Sequence, residues 1–210
     1  VLFVVDASWS MAAEARMEAT KGAIISLLMD AYQRRDRVGL VVFQRETATL
    51  LLPPTNSVDL ARRRLENLPT GGKTPLSRGL LLGYRILEQA RRQDAEAMPL
   101  MVLITDGQGN VAMTGRHPQE EALEVAEMIG RRGMRCVVID TEHEQFNRGL
   151  ARQIAEAAHG EYYRLTEMRA QVLVRTVREQ LRSDESTCPP AANAPRDGEG
   201  NPYPIGGHPR

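Results

Sequence analysis

Residues 1–10 read VLFVVDASWS, so five apolar residues lead directly into a carboxylate and two hydroxyls. An unbroken apolar run of this length is typical of a strand that is buried on both faces. Such strands form parallel sheets, and ligands bind open sheets of this kind beyond the carboxyl ends of the strands. The stretch therefore predicts a central strand that delivers Asp6, Ser8 and Ser10 to a ligand-binding edge.

The rest of the chain alternates between apolar runs and segments with helical spacing. Strands are predicted at 1–5, 38–43, 47–52, 100–105, 134–139 and 162–165. Helices are predicted at 15–34, 76–92, 119–132, 148–158 and 169–181. Strands that alternate with helices indicate parallel pairing and a doubly wound α/β sheet.

One pair of strands breaks this alternation. The segment 47–52 follows 38–43 after too few residues for a crossover helix, which favours an antiparallel hairpin at a sheet edge. We therefore predict an α/β fold with a mostly parallel six-stranded sheet, one antiparallel edge strand and helices on both faces.

Composition limits the possible functions. The 210 residues carry 27 basic and 27 acidic side chains, so a general electrostatic grip on nucleic acid is not expected. No apolar run approaches the ~20 residues of a membrane-spanning helix, so membrane insertion is not expected either. Cys136 and Cys188 are badly placed for a disulfide or a zinc site, which favours a reducing compartment and predicts a cytoplasmic protein.

The predicted domain covers residues 1–182. From 183 to 210 the composition changes to Pro, Gly, Asn and Ala without an apolar period, which predicts a disordered tail. Because the first residue already lies in an apolar strand, we expect the chain to be part of a longer protein.

Two further segments bring oxygen ligands to the same edge. The strand 100–105 ends in Asp106, and the loop 70–75, TGGKTP, supplies Thr74 before a helix. Carboxylates and hydroxyls without His or Cys suit Mg²⁺ or Mn²⁺. Two carboxylates about 5 Å apart repel by roughly 3 kcal/mol at an effective dielectric near 20, and a divalent cation reverses that repulsion. The ion would keep one position open for water or for an oxygen from a partner.

Asp6-x-Ser8-x-Ser10 with Thr74 and Asp106 resembles the metal-ion-dependent adhesion site of von Willebrand factor A domains, whose Rossmann-like fold is the sheet predicted above. The chain is most similar to the C-terminal A domain of the magnesium chelatase D subunit and related putative cobaltochelatase subunits. The stretches that carry this similarity are VVDASWSM, RMEATKGAIISLLMDAYQRRDRVGLVVF, LLLPPTNSV, LPTGGKTPLSRGL, ITDGQGNV, and VVIDTE followed by GLARQIAEAAHGEYYRL.

The resemblance implies a docking domain that performs no bond chemistry itself. It would belong to an ATP-dependent ligase-type complex that inserts magnesium or cobalt into a tetrapyrrole for chlorophyll or cobalamin biosynthesis. Its partners would be an AAA+ ATPase subunit and a large catalytic subunit, with an acidic partner residue completing the metal shell. The alternative is an A domain that serves as a protein-binding scaffold in an unrelated assembly.

The sequence departs from the family pattern at two places. Trp9 stands where Gly is usual, and it either packs against the domain or acts as an aromatic anchor at an interface. After Asp106-Gly107 the sequence Gln108-Gly109-Asn110 keeps only the Asn of the usual basic-Ala-Asn stretch, so a charge contact is expected to be missing.

Other interpretations of these motifs are weaker. GGKT matches half of a phosphate-binding loop, but Asn67 stands where that motif needs Gly. Ser8 occupies the position of the acid in haloacid-dehalogenase phosphotransferases, which disfavours that enzyme class. Asp6 and Asp106 could instead cap helices. Asp140, Glu142 and Glu144 follow the strand 134–139, and we interpret them as a solvated loop, with an outer-shell or partner-facing role as the alternative.

Overall fold

The computed structural model describes residues 1–8, 36–57, 71–142 and 148–165, together with positions 22, 25, 26, 29, 59, 60, 63 and 64. Six strands form one sheet: β1 Leu2–Asp6, β2 Val38–Gln44, β3 Thr47–Thr55, β4 Leu100–Thr105, β5 Arg135–Asp140 and β6 Glu161–Arg164. Three helices lie within the described ranges: α1 Leu76–Gln93, α2 Pro118–Arg131 and α3 Leu150–Ala157.

The strand order places β1 inside the sheet. The order is β3-β2-β1-β4-β5-β6, and all neighbouring pairs are parallel except β2 and β3, which are antiparallel. After β1 the chain adds β2 and β3 on one side of it, and then β4, β5 and β6 on the other side. The loops that follow β1 and β4 therefore leave the sheet next to each other. In doubly wound sheets this switch point is where a ligand-binding crevice opens.

The sheet is buried on both faces because its parallel strands are apolar at almost every position. Phe3 and Val5 of β1 belong to one apolar cluster, whereas Leu2 and Val4 belong to the other. The three helices α1, α2 and α3 pack on the second face through Leu80, Ala126, Ile154 and their neighbours. On the first face the partly buried Ile25, a helical residue, packs against the core.

The antiparallel hairpin sits at the sheet edge, as predicted. Its outer strand β3 runs three residues beyond the predicted end and includes Pro53 and Pro54. An edge strand tolerates proline because one side of it makes no ladder hydrogen bonds. The predicted strand ended before the prolines because proline disfavours a central strand. The observed strand continues through them because it lies at the edge of the sheet.

The predicted fold class is confirmed, with element ends that differ from the predictions by at most three residues. Most of the predicted helix 15–34 lies outside the described residues, although positions 22, 25, 26 and 29 are helical. The predicted helix 169–181 and the tail 183–210 also lie outside them, so the domain boundary at 182 stays a prediction. No helix in the described part of the chain is long and apolar enough to cross a membrane.

Candidate metal centre

Asp6 ends β1 with its side chain completely buried. One carboxylate oxygen, Oδ1, accepts the backbone N–H of Ser8 at 2.9 Å. The other, Oδ2, accepts the hydroxyl of Thr105 at 3.1 Å. Thr105 is the last residue of the neighbouring strand β4, so the sheet register itself places this donor beside Asp6. The carboxylate is therefore fixed in orientation from two strands.

The loop before α1 brings a hydroxyl to the same point. The Thr74 hydroxyl donates to the Ser8 hydroxyl at 2.8 Å, and Thr74 is 5% exposed. The Gly71 N–H donates to the carbonyl of Ala7 at 2.8 Å, which ties the loop to the end of β1. Residues 66 positions apart in sequence thus present adjacent oxygen ligands.

Asn110 fixes the position of Thr74 from the other side. Its side-chain Oδ1 accepts the Thr74 N–H at 2.6 Å, and its own N–H donates to the Thr74 carbonyl at 3.0 Å. This reciprocal pair joins the loop after β4 to the loop before α1. The Asn that the sequence retains after Asp106 therefore has a structural role in aligning the two loops.

Asp106 follows β4 directly and is partly buried. Its Oδ1 accepts the Gln108 N–H at 2.9 Å, the same two-residue turn that Asp6 makes with Ser8. Gly107 has a φ of +78°, a conformation that side-chain-bearing residues rarely adopt. The turn points the chain away from the sheet and leaves Asp106 at its edge.

The electrostatics of the site favour a cation. Burial, together with the negative charge of Asp106, raises the pKa of Asp6 to about 7, against the lowering effect of hydrogen bonds from Ser8 and Thr105. Burying a carboxylate is costly unless an opposite charge or a proton compensates it. Two carboxylates coupled in this way fit a divalent metal, which would replace the proton.

The donor set also suits a hard cation. Among the described residues no group of three or more His, Cys, Asp or Glu side chains is placed to hold a metal. A metal bound here must therefore take hydroxyl or water oxygens besides carboxylates, and Ser8 and Thr74 supply such hydroxyls. Mg²⁺ and Mn²⁺ accept this mixture, whereas zinc prefers nitrogen and sulfur ligands.

The loop after β4 is fixed by the first turn of α2. Gln119 accepts the Gly109 N–H at 3.0 Å. The Glu121 carboxylate accepts the Met113 N–H at 2.7 Å, the Thr114 N–H at 2.8 Å and the Ser77 hydroxyl at 2.6 Å. Burial raises the pKa of Glu121, but these hydrogen bonds outweigh it and lower that pKa to about 2. Glu121 is thus a buried anion that joins this loop to both α1 and α2.

The acidic residues after β5 do not form a solvated loop, so that interpretation is wrong. Asp140 is 1% exposed and Glu142 is 7% exposed. Asp140 makes the third turn of the same kind, since its Oδ1 accepts the Glu142 N–H at 2.7 Å. The sequence pattern failed here because residues further along the chain, Tyr162 and Arg148, supply hydrogen bonds to these two carboxylates. Glu144 lies outside the described residues.

Of the five predicted ligands, Ser8 makes hydrogen bonds with both Asp6 and Thr74. The negative charge of Asp106 raises the pKa of Asp6. Ser10 and Trp9 lie outside the described residues, so their roles stay predictions. Sequence reasoning missed Thr105 as the partner of Asp6, although its position at the end of a neighbouring strand was a usable signal.

Comparisons with known proteins bear on the family to which the chain belongs. Residues 1–108 match the profile of the von Willebrand factor type A domain. An uncharacterized protein of Mycobacterium tuberculosis is 44% identical over 178 residues, which cover 85% of this chain and 28% of that protein. The magnesium-chelatase 67 kDa subunit of Chlorobaculum parvum is 39% identical over 184 residues, which cover 82% of this chain and 29% of the subunit.

A solved structure shares the fold. The von Willebrand factor type A structure from Catenulispora acidiphila superposes with a TM-score of 0.61 at 21% identity, covering 85% of this chain and 41% of that one. This chain spans less than a third of the length of the two sequence relatives described above. On the profile match, the shared sheet topology and these relatives, the chain belongs to the von Willebrand factor type A domain family.

Proposed function

We propose that this domain binds Mg²⁺, or Mn²⁺, through Asp6, Ser8, Ser10, Thr74 and Asp106, and that it uses the site to dock a protein partner. The observation that carries the proposal is the contact between the hydroxyls of Thr74 and Ser8, 2.8 Å apart, beside the buried carboxylate of Asp6. Two separate segments have to converge to produce it, and Thr105 and Asn110 of a third segment hydrogen-bond to Asp6 and Thr74.

Each residue has a distinct part in the proposed site. Asp6 and Asp106 supply negative charge, while the Ser8 and Thr74 hydroxyls supply neutral oxygens. When bound, the metal offers an electrophilic position to an oxygen from outside the domain. Thr105 and Asn110 are not proposed to bind the metal themselves. They hydrogen-bond to Asp6 and Thr74 and hold these two ligands in place. These roles are binding and positioning, and we propose that the domain is non-catalytic.

The relatives suggest the assembly in which this docking takes place. Because the similar Chlorobaculum protein is named a magnesium-chelatase subunit, we propose that the domain belongs to a D-type subunit of an ATP-dependent magnesium or cobalt chelatase. That complex would act in tetrapyrrole biosynthesis for chlorophyll or cobalamin, in the cytoplasm. An AAA+ ATPase subunit and a large catalytic subunit are the proposed partners, one of which supplies a carboxylate to the metal.

A binding experiment tests the docking role. The 210-residue chain should retain the AAA+ and large chelatase subunits on an affinity resin in Mg²⁺ and release them in EDTA. Thr74→Val keeps the shape of a buried side chain but removes the hydroxyl, so it should reduce capture in Mg²⁺ by about tenfold or more. Capture that survives both EDTA and the substitution would show that docking uses another surface.

Metal binding should depend on pH because Asp6 titrates near neutrality. With a pKa of about 7 the carboxyl is mostly protonated at pH 6, and a cation must then displace the proton. We expect the Mg²⁺ affinity to be about tenfold weaker at pH 6 than at pH 8, as measured by calorimetric titration. An affinity that stays constant over this range would argue against Asp6 as a ligand.

The Asp6 carboxyl also affects the stability of the fold, which should fall as pH rises, whereas the Mg²⁺ affinity should increase. The folded pKa of Asp6 lies above its ordinary value of 3.8, so the folded state binds a proton more tightly than the unfolded chain. The stability contributed by this proton is complete below pH 3.8 and is lost as pH rises through about 7. Metal-free protein should accordingly show a lower unfolding temperature at pH 8 than at pH 6. Addition of Mg²⁺ at pH 8 should raise the unfolding temperature again.

A further inference from the structure

Glu142 carries a buried oxygen that the fold does not use. The side chain is 7% exposed, and its Oε2 accepts the backbone N–H of Arg148 at 2.9 Å. Its other oxygen, Oε1, is buried and has no hydrogen-bond partner among the described residues. A buried acceptor without a partner is rare and destabilising, more so when it is charged. Such an atom needs an explanation beyond packing.

The neighbouring acid, Asp140, is fully satisfied and provides a contrast. Its Oδ1 accepts the Glu142 N–H at 2.7 Å, and its Oδ2 accepts the Tyr162 hydroxyl at 2.5 Å. The ring of Tyr162 in turn lies 4.6 Å from the guanidinium of Arg152. Asp140 thus orders the end of β5 and its turn, whereas Glu142 leaves one oxygen available.

The sheet register places Glu142 next to the proposed metal site. Thr105 lies opposite Asp140 across β4 and β5, and the Thr141 N–H donates to the Thr105 carbonyl at 3.1 Å. Asp106 and Glu142 therefore lie in the two loops that leave these neighbouring strands, within two residues of the last register pair. Burial raises the pKa of Glu142, and the charges of Asp140 and Asp106 raise it further. Glu142 and Asp106 thus interact through space.

We propose that Glu142 is an additional carboxylate of the cation site, which receives a water molecule of the ion's hydration shell at Oε1 and increases the affinity for the ion. The proposal rests on the metal-binding role proposed above. It assigns Glu142 a position outside the inner shell, because no three acidic side chains in the described ranges are placed to hold a metal together. Mg²⁺ keeps several of its waters, so carboxylates that bind those waters contribute to its affinity.

Calorimetric titration with Mg²⁺ at pH 8 tests the proposal. Glu142→Gln keeps an acceptor for the Arg148 N–H but removes the charge, and we expect about tenfold weaker binding. Glu142→Asp keeps the charge and should recover most of the affinity, to within about threefold of the wild type. Glu96→Gln removes the same charge from an exposed loop before β4 and should change the affinity less than twofold.

The outcomes separate this inference from the proposed function. If wild-type protein and the Glu142→Gln variant bind Mg²⁺ equally well, the proposed role of Glu142 is overturned and the proposed metal site stands. Wild-type protein that does not bind Mg²⁺ would overturn both proposals. Unfolding temperatures in EDTA complete the test: because the substitution removes a buried charge, Glu142→Gln should unfold at the same temperature or higher, and a lower temperature would make Glu142 a structural residue instead.

Discussion

Replacing Asp6 by asparagine should abolish Mg²⁺ binding by this domain. The substitution preserves the size of a fully buried side chain and its acceptor for the Ser8 N–H, but it removes a negative charge from the proposed site. Changes to residues that only support metal ligands cost about 10–100-fold in affinity, so loss of a charged ligand should exceed about 100-fold. Calorimetric titration with Mg²⁺ at pH 8 measures this directly.

The matched control is Asp94→Asn, which removes the same charge from an exposed position at the end of α1. Its affinity should remain within about twofold of the wild type. The Asp6→Asn protein should also stay folded in EDTA and gain stability at pH 8, because burial already raises the pKa of Asp6 to about 7. Equal heats of Mg²⁺ binding for the two variants would refute Asp6 as a metal ligand.

Gly107→Ala should destabilise the domain by about 3–5 kcal/mol. The φ of +78° at this position costs an alanine about 1–2 kcal/mol. The added Cβ would also lie 2.1 Å from the backbone nitrogen of Ala151 in the first turn of α3. Backbone cannot rotate away as a side chain can, so strain of this kind typically adds 1–3 kcal/mol or more. Urea unfolding at pH 7 gives the difference in free energy.

Gly115→Ala separates the two contributions. Gly115 has a similar φ of +81°, but a Cβ built there has no atom within 4 Å. This variant should lose only about 1–2 kcal/mol. Equal losses at the two positions would show that α3 moves to accommodate the methyl group.

The fold could be predicted from the sequence because its signals are local. An apolar run such as 1–5 identifies a doubly buried strand wherever it occurs, and the short connection after 38–43 permits only an antiparallel partner. Asp6 and Asp106 were predictable at one sheet edge because each lies at the carboxyl end of a strand in a parallel sheet. The two prolines of β3 show the limit of this reasoning, since the edge position was predicted but the predicted strand stopped before Pro53, and an edge strand continues through it.

The sequence by itself determined the pattern of strands and helices and the residues that bring oxygen ligands to one edge. It could do so because periodicity and strand ends depend on neighbouring residues. The tertiary structure alone decided which groups have partners. Thr105 meets Asp6, Asn110 aligns Thr74, and Glu142 is buried with one oxygen unpaired, all through contacts between distant segments. Burial and hydrogen bonding depend on what packs above a residue, and that is fixed only when the helices cover the sheet.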